Sequence, residues 1–187
     1  MVLPPPRAHH YCTTHCDPTH LCAGDVWVHS SASIAISSGG TVATHNGPKE
    51  YKWAASVNQM KTGVHYWEVT LVADPVGTRD VMFGVSRPEL DRETPHFNTN
   101  DAWYFWGHTG SLFGNGKSYS DAQGVIDVGD KIGMLLDLTA GSLKFYRSGK
   151  LYGPGYPSGV KGPVVRTVEM YYAGTVVSLD VTATRPE

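Results

Sequence analysis

Short runs of alternating apolar and polar residues are the feature that most constrains what this chain can fold into. They occur around residues 33–37, 81–86, 132–138 and 177–181, and a longer β-branched and aromatic run covers 64–73. Turn-forming residues separate the runs at intervals of roughly a dozen residues, which is typical of an antiparallel sandwich or barrel. Every long window with helical apolar spacing is interrupted by Gly or Pro. We therefore predict an all-β fold with little or no helix.

The composition divides the chain into two regions. Residues 1–24 are rich in Pro, His and Cys and show no apolar period, whereas residues 25–187 contain no cysteine. We predict an N-terminal extension over 1–24 and one domain over 25–187. A chain of 187 residues buries roughly 70% of its unfolded surface, so a domain of this size needs no disulfide or metal to fold.

Charge and hydropathy exclude several classes of partner. The chain has 15 Lys and Arg against 17 Asp and Glu, a formal charge of −2. This balance offers no basic excess for the phosphates of nucleic acids. The chain also lacks an apolar stretch long enough to span a membrane. We expect a soluble cytoplasmic monomer with neither a nucleic-acid nor a membrane partner.

Motifs of enzyme active sites are incomplete in this sequence. Residues 110–118, GSLFGNGKS, come within one position of a phosphate-binding loop, but the segment that follows is too short and turn-like for the required helix. A glycine-rich loop between two strands is the better interpretation. The domain contains neither a Gly-x-Ser-x-Gly elbow nor a cysteine to act as a nucleophile. We predict that the protein is not an enzyme.

The extension contains a cluster of potential metal donors. Cys12, Cys16, His20 and Cys22 could supply three thiolates and one imidazole, which is a tetrahedral zinc set. Their spacing is irregular, and free cysteines also pack as small apolar residues, so zinc is an alternative hypothesis. We expect no other cofactor.

An aromatic run at residues 103–106, WYFW, is too rich in large rings for one sheet face. Successive side chains of a strand point to opposite faces, so two of these rings point away from the core. Those two rings meet a loop, a second layer or a partner, and cover by a loop is favoured because large exposed apolar patches are uncommon.

Five segments resemble, in order, motifs of the SPRY domain family. They are GVHYWEV at 63–69, VMFGVS at 81–86, WYFWG at 103–107, DKIGMLLDL at 130–138 and GSLKFYRSG at 141–149. The resemblance implies a bent, twisted sandwich of two antiparallel sheets of the concanavalin-like, jelly-roll type. It also implies recognition of a protein or peptide ligand without catalysis, through loops at one end of the sandwich.

Residues 151–162 further resemble the SOCS-box-associated branch of that family, although the sequence has no candidate SOCS box. Several members of the family are substrate receptors of ubiquitin ligases, so the resemblance implies an adaptor or substrate receptor. Binding of a small molecule or a carbohydrate is a further alternative, because loop aromatics also stack on sugars.

The resemblance to that branch indicates which loops bind the partner. Thr78 matches a threonine before the second motif strand, Phe97 stands where the branch has an aromatic residue, and 171–174 takes the place of its V-W-G turn. The branch's early Arg-Pro pair is replaced by HNGPK at 45–49, so we do not expect the branch's acidic-amide ligand. The predicted partner-binding residues are Asn46, Lys49, Thr78, Arg79, Phe97, Tyr171, Tyr172 and Gly174.

Overall fold

The computed structural model describes residues 25–186. In this range the chain forms fourteen strands, one 3₁₀ turn at Ser38–Gly40 and no α-helix. The strands are β1 (Trp27–Ser30), β2 (Ile34–Ser37), β3 (Val42–His45), β4 (Lys52–Ser56), β5 (Val64–Ala73), β6 (Val81–Ser86), β7 (Ala102–Trp106), β8 (Ser111–Gly114), β9 (Lys117–Ser120), β10 (Lys131–Asp137), β11 (Ser142–Arg147), β12 (Lys150–Leu151), β13 (Val165–Met170) and β14 (Val176–Asp180). Over these residues the protein has no helix with the length and hydrophobicity of a membrane span.

Two seven-stranded antiparallel sheets form the fold. Sheet I has the strand order β1-β4-β13-β6-β7-β8-β9, and sheet II has the order β12-β11-β10-β5-β14-β3-β2. Every pair of neighbouring strands is antiparallel. The predicted all-β sandwich is therefore confirmed.

The main core lies between the two sheets. Sheet II contributes alternate residues of β5 and β10, such as Trp67 and Met134, which are fully buried. Sheet I contributes alternate residues of β6 and β7, including Phe83, Trp103 and Phe105. This pattern is the physical basis of the alternation in the sequence, because every second side chain of a strand enters the same face.

A second layer covers the outer face of sheet I. The segment 87–101 between β6 and β7 crosses this face, where the Trp53 indole donates a hydrogen bond to the Asp91 carbonyl at 2.8 Å and packs on His96. Tyr104, which alternates with the two core rings of β7, is fully buried in a separate cluster beneath this segment. The predicted cover of the aromatic run by a loop is thus present in the structure.

The near-phosphate-loop segment is a β-hairpin. Strands β8 and β9 are joined by Asn115 and Gly116, with φ of 46° and 78°. Two successive residues of positive φ are typical of the two-residue turn that favours Asn-Gly. A strand follows the turn where a phosphate site needs a helix, which confirms the loop interpretation.

A buried ion pair attaches Asp25, the first described residue, to the sandwich. Asp25 pairs with Arg166 of β13, and its other oxygen accepts the Asn58 amide at 3.2 Å. The guanidinium carbon lies 5.0 Å from the centroid of the Trp67 ring. Burial raises the pKa of Asp25 and lowers that of Arg166, while the attraction between the two charges opposes both shifts.

Candidate functional site

Four loops meet at one end of the sandwich. Three of them connect the two sheets: residues 46–51 between β3 and β4, 74–80 between β5 and β6, and 171–175 between β13 and β14. The fourth is the end of the covering segment around residue 97. Backbone hydrogen bonds join the loops, because Gly174 donates to the His45 carbonyl at 2.7 Å and Tyr171 donates to the Asp80 carbonyl at 3.1 Å.

These loops assemble four aromatic rings, which we call the aromatic surface: Tyr51, Phe97, Tyr171 and Tyr172. The centroid of the Tyr51 ring lies 4.8 Å from that of Phe97 and 4.7 Å from that of Tyr171, and Tyr171 lies 4.9 Å from Tyr172. All four side chains are half-buried. Tilted and edge-to-face rings at these separations attract one another beyond their area of contact, so the loops hold each other in place.

A carboxylate supports the aromatic surface from one side. Asp80 accepts hydrogen bonds from the Trp106 indole at 3.1 Å and from the Tyr51 hydroxyl at 3.4 Å. Trp106 packs edge-on against Phe113, which also meets Phe97. The aromatic surface is therefore continuous with the buried cluster on sheet I.

One lysine lies over the exposed side of two rings. The Lys49 ammonium is 5.0 Å from the centroid of Tyr172 and 5.7 Å from that of Tyr171, and its side chain is exposed. A hydrogen bond with Tyr172 raises the pKa of Lys49. The neighbouring Glu50 pairs instead with Lys52, at 3.4 Å.

A buried glutamate lies beneath the covering segment. Glu169 of β13 is fully buried, and its Oε1 accepts the His96 amide at 2.9 Å. Burial raises the pKa of Glu169 to about 8, and burial together with Glu169 raises the pKa of Tyr104. Within residues 25–186 neither the second oxygen of Glu169 nor the Tyr104 hydroxyl has a hydrogen bond of good geometry. The His96 amide, next to Phe97, is therefore hydrogen-bonded to a buried carboxyl group whose second oxygen lacks such a bond within residues 25–186.

The structure brings five of the predicted partner-binding residues together. Lys49, Phe97, Tyr171 and Tyr172 belong to or contact the aromatic surface, and Gly174 ends the loop that carries the two tyrosines. Gly174 has a φ of 83°, and a Cβ at this position would lie 2.8 Å from Pro75. Both features require glycine, because L side chains rarely adopt this backbone conformation and the space is already filled.

The other three predicted residues lie apart from the rings. Arg79 directs its guanidinium to Asp74 at 3.2 Å and to the Ile126 carbonyl at 3.2 Å. Thr78 offers its carbonyl to His108. Asn46 has an exposed side chain, and its amide donates to the Ser33 carbonyl.

Sequence reasoning missed Tyr51, Asp80 and Trp106. Tyr51 lies two residues after Lys49, and Asp80 directly follows Arg79 as the last residue before β6, so both lie beside predicted binding residues. Trp106 alternates with Phe105 and therefore points out of the main core, a position that the strand period already identifies.

The proposed zinc ligands Cys12, Cys16, His20 and Cys22 lie outside the described residues. Over residues 25–186, potential ligands do not form a group that could hold a metal ion. The zinc site therefore stays a prediction about the extension, to be checked by the metal content of protein purified without a histidine tag.

Comparison with known families gives one match. The model of the SPRY domain family matches residues 64–168, more than half of the chain. The match includes Asp80 and Phe97 but leaves Tyr51, Tyr171 and Tyr172 outside its bounds. None of the curated proteins compared with the chain matches it.

Three solved SPRY domains have the same fold as this chain. The SPRY domain of human HERC1 superposes with a TM-score of 0.70 at 22% identity, covering 81% of this chain and 94% of its own. The TRIM65 PSpry domain gives 0.64 at 23% identity, with coverage of 83% and 91%. A further human SPRY domain gives 0.64 at 17% identity, with coverage of 81% and 97%. At such identities the likeness shows the fold alone.

Proposed function

This chain belongs to the SPRY domain family, and on that premise we propose that it binds a peptide segment or a protein surface through the aromatic surface. SPRY domains are non-catalytic binding modules that generally bind proteins. The observation that carries the proposal is the meeting of four loops, which places four half-buried rings beside an exposed lysine.

The chemistry of these side chains suits recognition. Tyrosine provides a large and rigid contact area at low cost in side-chain entropy, and buried aromatic anchors carry much of the binding energy in protein interfaces. The loops are already fixed by ring contacts and by backbone hydrogen bonds from Gly174 and Tyr171. Binding would therefore require little reorganisation of the protein.

The finer resemblance to the SOCS-box-associated branch supports the same location. The turn at 171–174 takes the place of the branch's V-W-G turn, and 45–49 takes the place of its Arg-Pro pair. We propose that the protein uses this end of the sandwich as an adaptor or substrate receptor, with a ligand different from the branch's acidic-amide sequence.

Capture of partners by variants tests the location. Wild type, Tyr172→Ala and Thr78→Ala are immobilised and exposed to cell lysate and to a peptide array. Tyr146→Ala is the matched control, because Tyr146 is also half-buried and packs edge-on against a tyrosine, at 6.1 Å, but lies on the outer face of sheet II. Circular dichroism confirms that each variant is folded.

We expect Tyr172→Ala to lose partners that wild type and Tyr146→Ala both retain. Retention of every partner by both Tyr172→Ala and Thr78→Ala would show that the binding site lies elsewhere. Stabilisation of the protein by a sugar or small molecule in a thermal-shift screen, without capture of any peptide or protein, would instead favour the small-ligand alternative.

A further inference from the structure

The charges of the four loops are unequally matched. Glu50 pairs with Lys52, Asp74 pairs with Arg79, and Asp80 accepts two hydrogen bonds from aromatic side chains. Lys49 is the exception, because over residues 25–186 it forms no ion pair with a carboxylate and instead lies over two tyrosine rings. Lys49 is therefore an exposed cation whose nearest neighbours are the two rings, with the Asp80 carboxylate as a weaker electrostatic influence.

The rings next to this cation form a continuous series of contacts. Tyr172 meets Tyr171, Tyr171 meets Tyr51, and Tyr51 meets Phe97, with centroid separations of 4.9, 4.7 and 4.8 Å. Lys49 lies at the Tyr172 end of the series. An extended peptide rises ~3.3 Å per residue and presents every second side chain to one surface, so a few residues can reach from the lysine across the rings.

Resting on the proposed function, we propose that the partner is an extended peptide segment with an Asp or Glu at Lys49 and apolar side chains at alternate positions along the aromatic surface. The carboxylate would replace the ring faces as the neighbour of the ammonium and uncover Tyr171 and Tyr172. Its apolar neighbours would then pack on the uncovered rings.

A single lysine matches a carboxylate better than it matches a phosphoryl group. Recognition of phosphorylated motifs generally uses clusters of arginines, which form bidentate hydrogen bonds. The arginine of these loops, Arg79, is already paired with Asp74 and also lies 3.8 Å from Asp127. The peptide therefore needs an acidic side chain rather than a modification.

Selection from a peptide library tests the proposal. Random decapeptides are displayed between constant flanking segments, so that neither a free carboxyl terminus nor a phosphate is present. Wild type, Lys49→Met, Lys49→Glu and Tyr172→Ala are used as baits. Lys49→Met keeps the apolar length of the side chain without its charge, and Lys144→Glu reverses an exposed lysine on the outer face of sheet II as a control.

We expect wild type and Lys144→Glu to enrich peptides with Asp or Glu at a fixed distance from alternating apolar residues. A synthetic peptide of the enriched sequence should bind Lys49→Met about fivefold more weakly, the upper range for an exposed ion pair, with a smaller dependence on salt. Lys49→Glu should select Lys or Arg at the acidic position.

Two other results would overturn the proposal in distinguishable ways. Apolar peptides without an acidic preference, or an acidic preference that persists in Lys49→Met, would refute the role of Lys49. If Tyr172→Ala failed to bind those peptides, the proposed function would still stand. Failure of wild type to enrich any sequence over Tyr172→Ala would refute the proposed function, and this inference with it.

Discussion

The two ends of β13 differ in the charged side chain near them: one is buried and paired, and the other is exposed. At its start, Arg166 is buried and paired with Asp25, and its guanidinium also packs on a tryptophan. Beyond its end, Tyr171 belongs to a half-buried set of rings under an exposed lysine that has no carboxylate partner within residues 25–186. At the paired end, loss of either partner would leave a buried charge without its counter-charge. The open end leaves contact area and one exposed charge available, as the proposed binding of a partner requires.

The largest effect is expected from Asp25→Ala, which breaks the paired end. Removing one member of a buried ion pair leaves an uncompensated charge and costs about 3–5 kcal/mol. We expect denaturant unfolding to show a loss of this size. Lys117→Ala is the control, because the side chains of the Lys117–Asp121 pair are 38% and 35% exposed and a surface pair contributes about 0–1 kcal/mol. Equal losses in the two variants would contradict the contrast between the ends.

Glu169→Gln should change how stability depends on pH. The pKa of Glu169 is raised to about 8 in the folded protein, against an ordinary value of 4.5. Between these values the unfolded chain releases a proton that the folded protein keeps, so the free energy of unfolding falls as pH rises and the loss is complete above about pH 8. Each unit of pKa corresponds to about 1.4 kcal/mol, so the effect is on the order of a few kcal/mol.

Thermal melts from pH 4 to pH 9 measure this difference. Glutamine still accepts the His96 amide but does not ionise, so the gap in stability between Glu169→Gln and wild type should widen in favour of the variant as pH rises towards 8. Parallel profiles for the two proteins would mean that the carboxyl group is solvated in the folded state.

Alternation made the sandwich predictable where an unbroken series of large apolar residues occupies every second position of a strand. Strands β5 and β6 were predicted with their observed bounds, and β10 was predicted with a shift of one residue. Strand β13 was missed, because buried Arg166, Thr167 and Glu169 interrupt the apolar series on both of its faces. A polar residue in a doubly covered strand interrupts the pattern by which a strand is recognised.

The candidate site was predictable only in part for a related reason. Family motifs indicated the loops, and five of the eight predicted residues meet or support the rings. The contact between Tyr51 and Phe97 cannot be predicted from the sequence, because the two residues are distant along the chain. They meet only when the covering segment packs on sheet I, which contains β4. Arg79 was also among the predicted residues, but its guanidinium forms an ion pair with Asp74.

Gly174→Ala should weaken the open end in two ways. Positive φ at a residue with a side chain costs roughly 1–2 kcal/mol, and the added methyl group would also collide with Pro75. Gly116→Ala is the matched control, because Gly116 has a similar φ of 78° but open space around its Cβ position. We expect both variants to lose stability, with a greater loss in Gly174→Ala. Weaker binding of the selected peptides should occur only in Gly174→Ala, since that glycine shapes the loop of Tyr171 and Tyr172.

The smallest effect on stability is expected from Lys49→Met. The side chain is exposed and forms no ion pair within residues 25–186, and methionine keeps the apolar stem over the tyrosine rings. We expect a melting temperature within the scatter of replicate wild-type melts, together with the weakened peptide binding described above. Asp25→Ala, where it remains folded, should show the opposite behaviour, with a large loss of stability and unchanged affinity for the same peptide. A large fall in melting temperature for Lys49→Met would mean that the lysine stabilises the loops. Stability and binding would then not depend on different ends of β13.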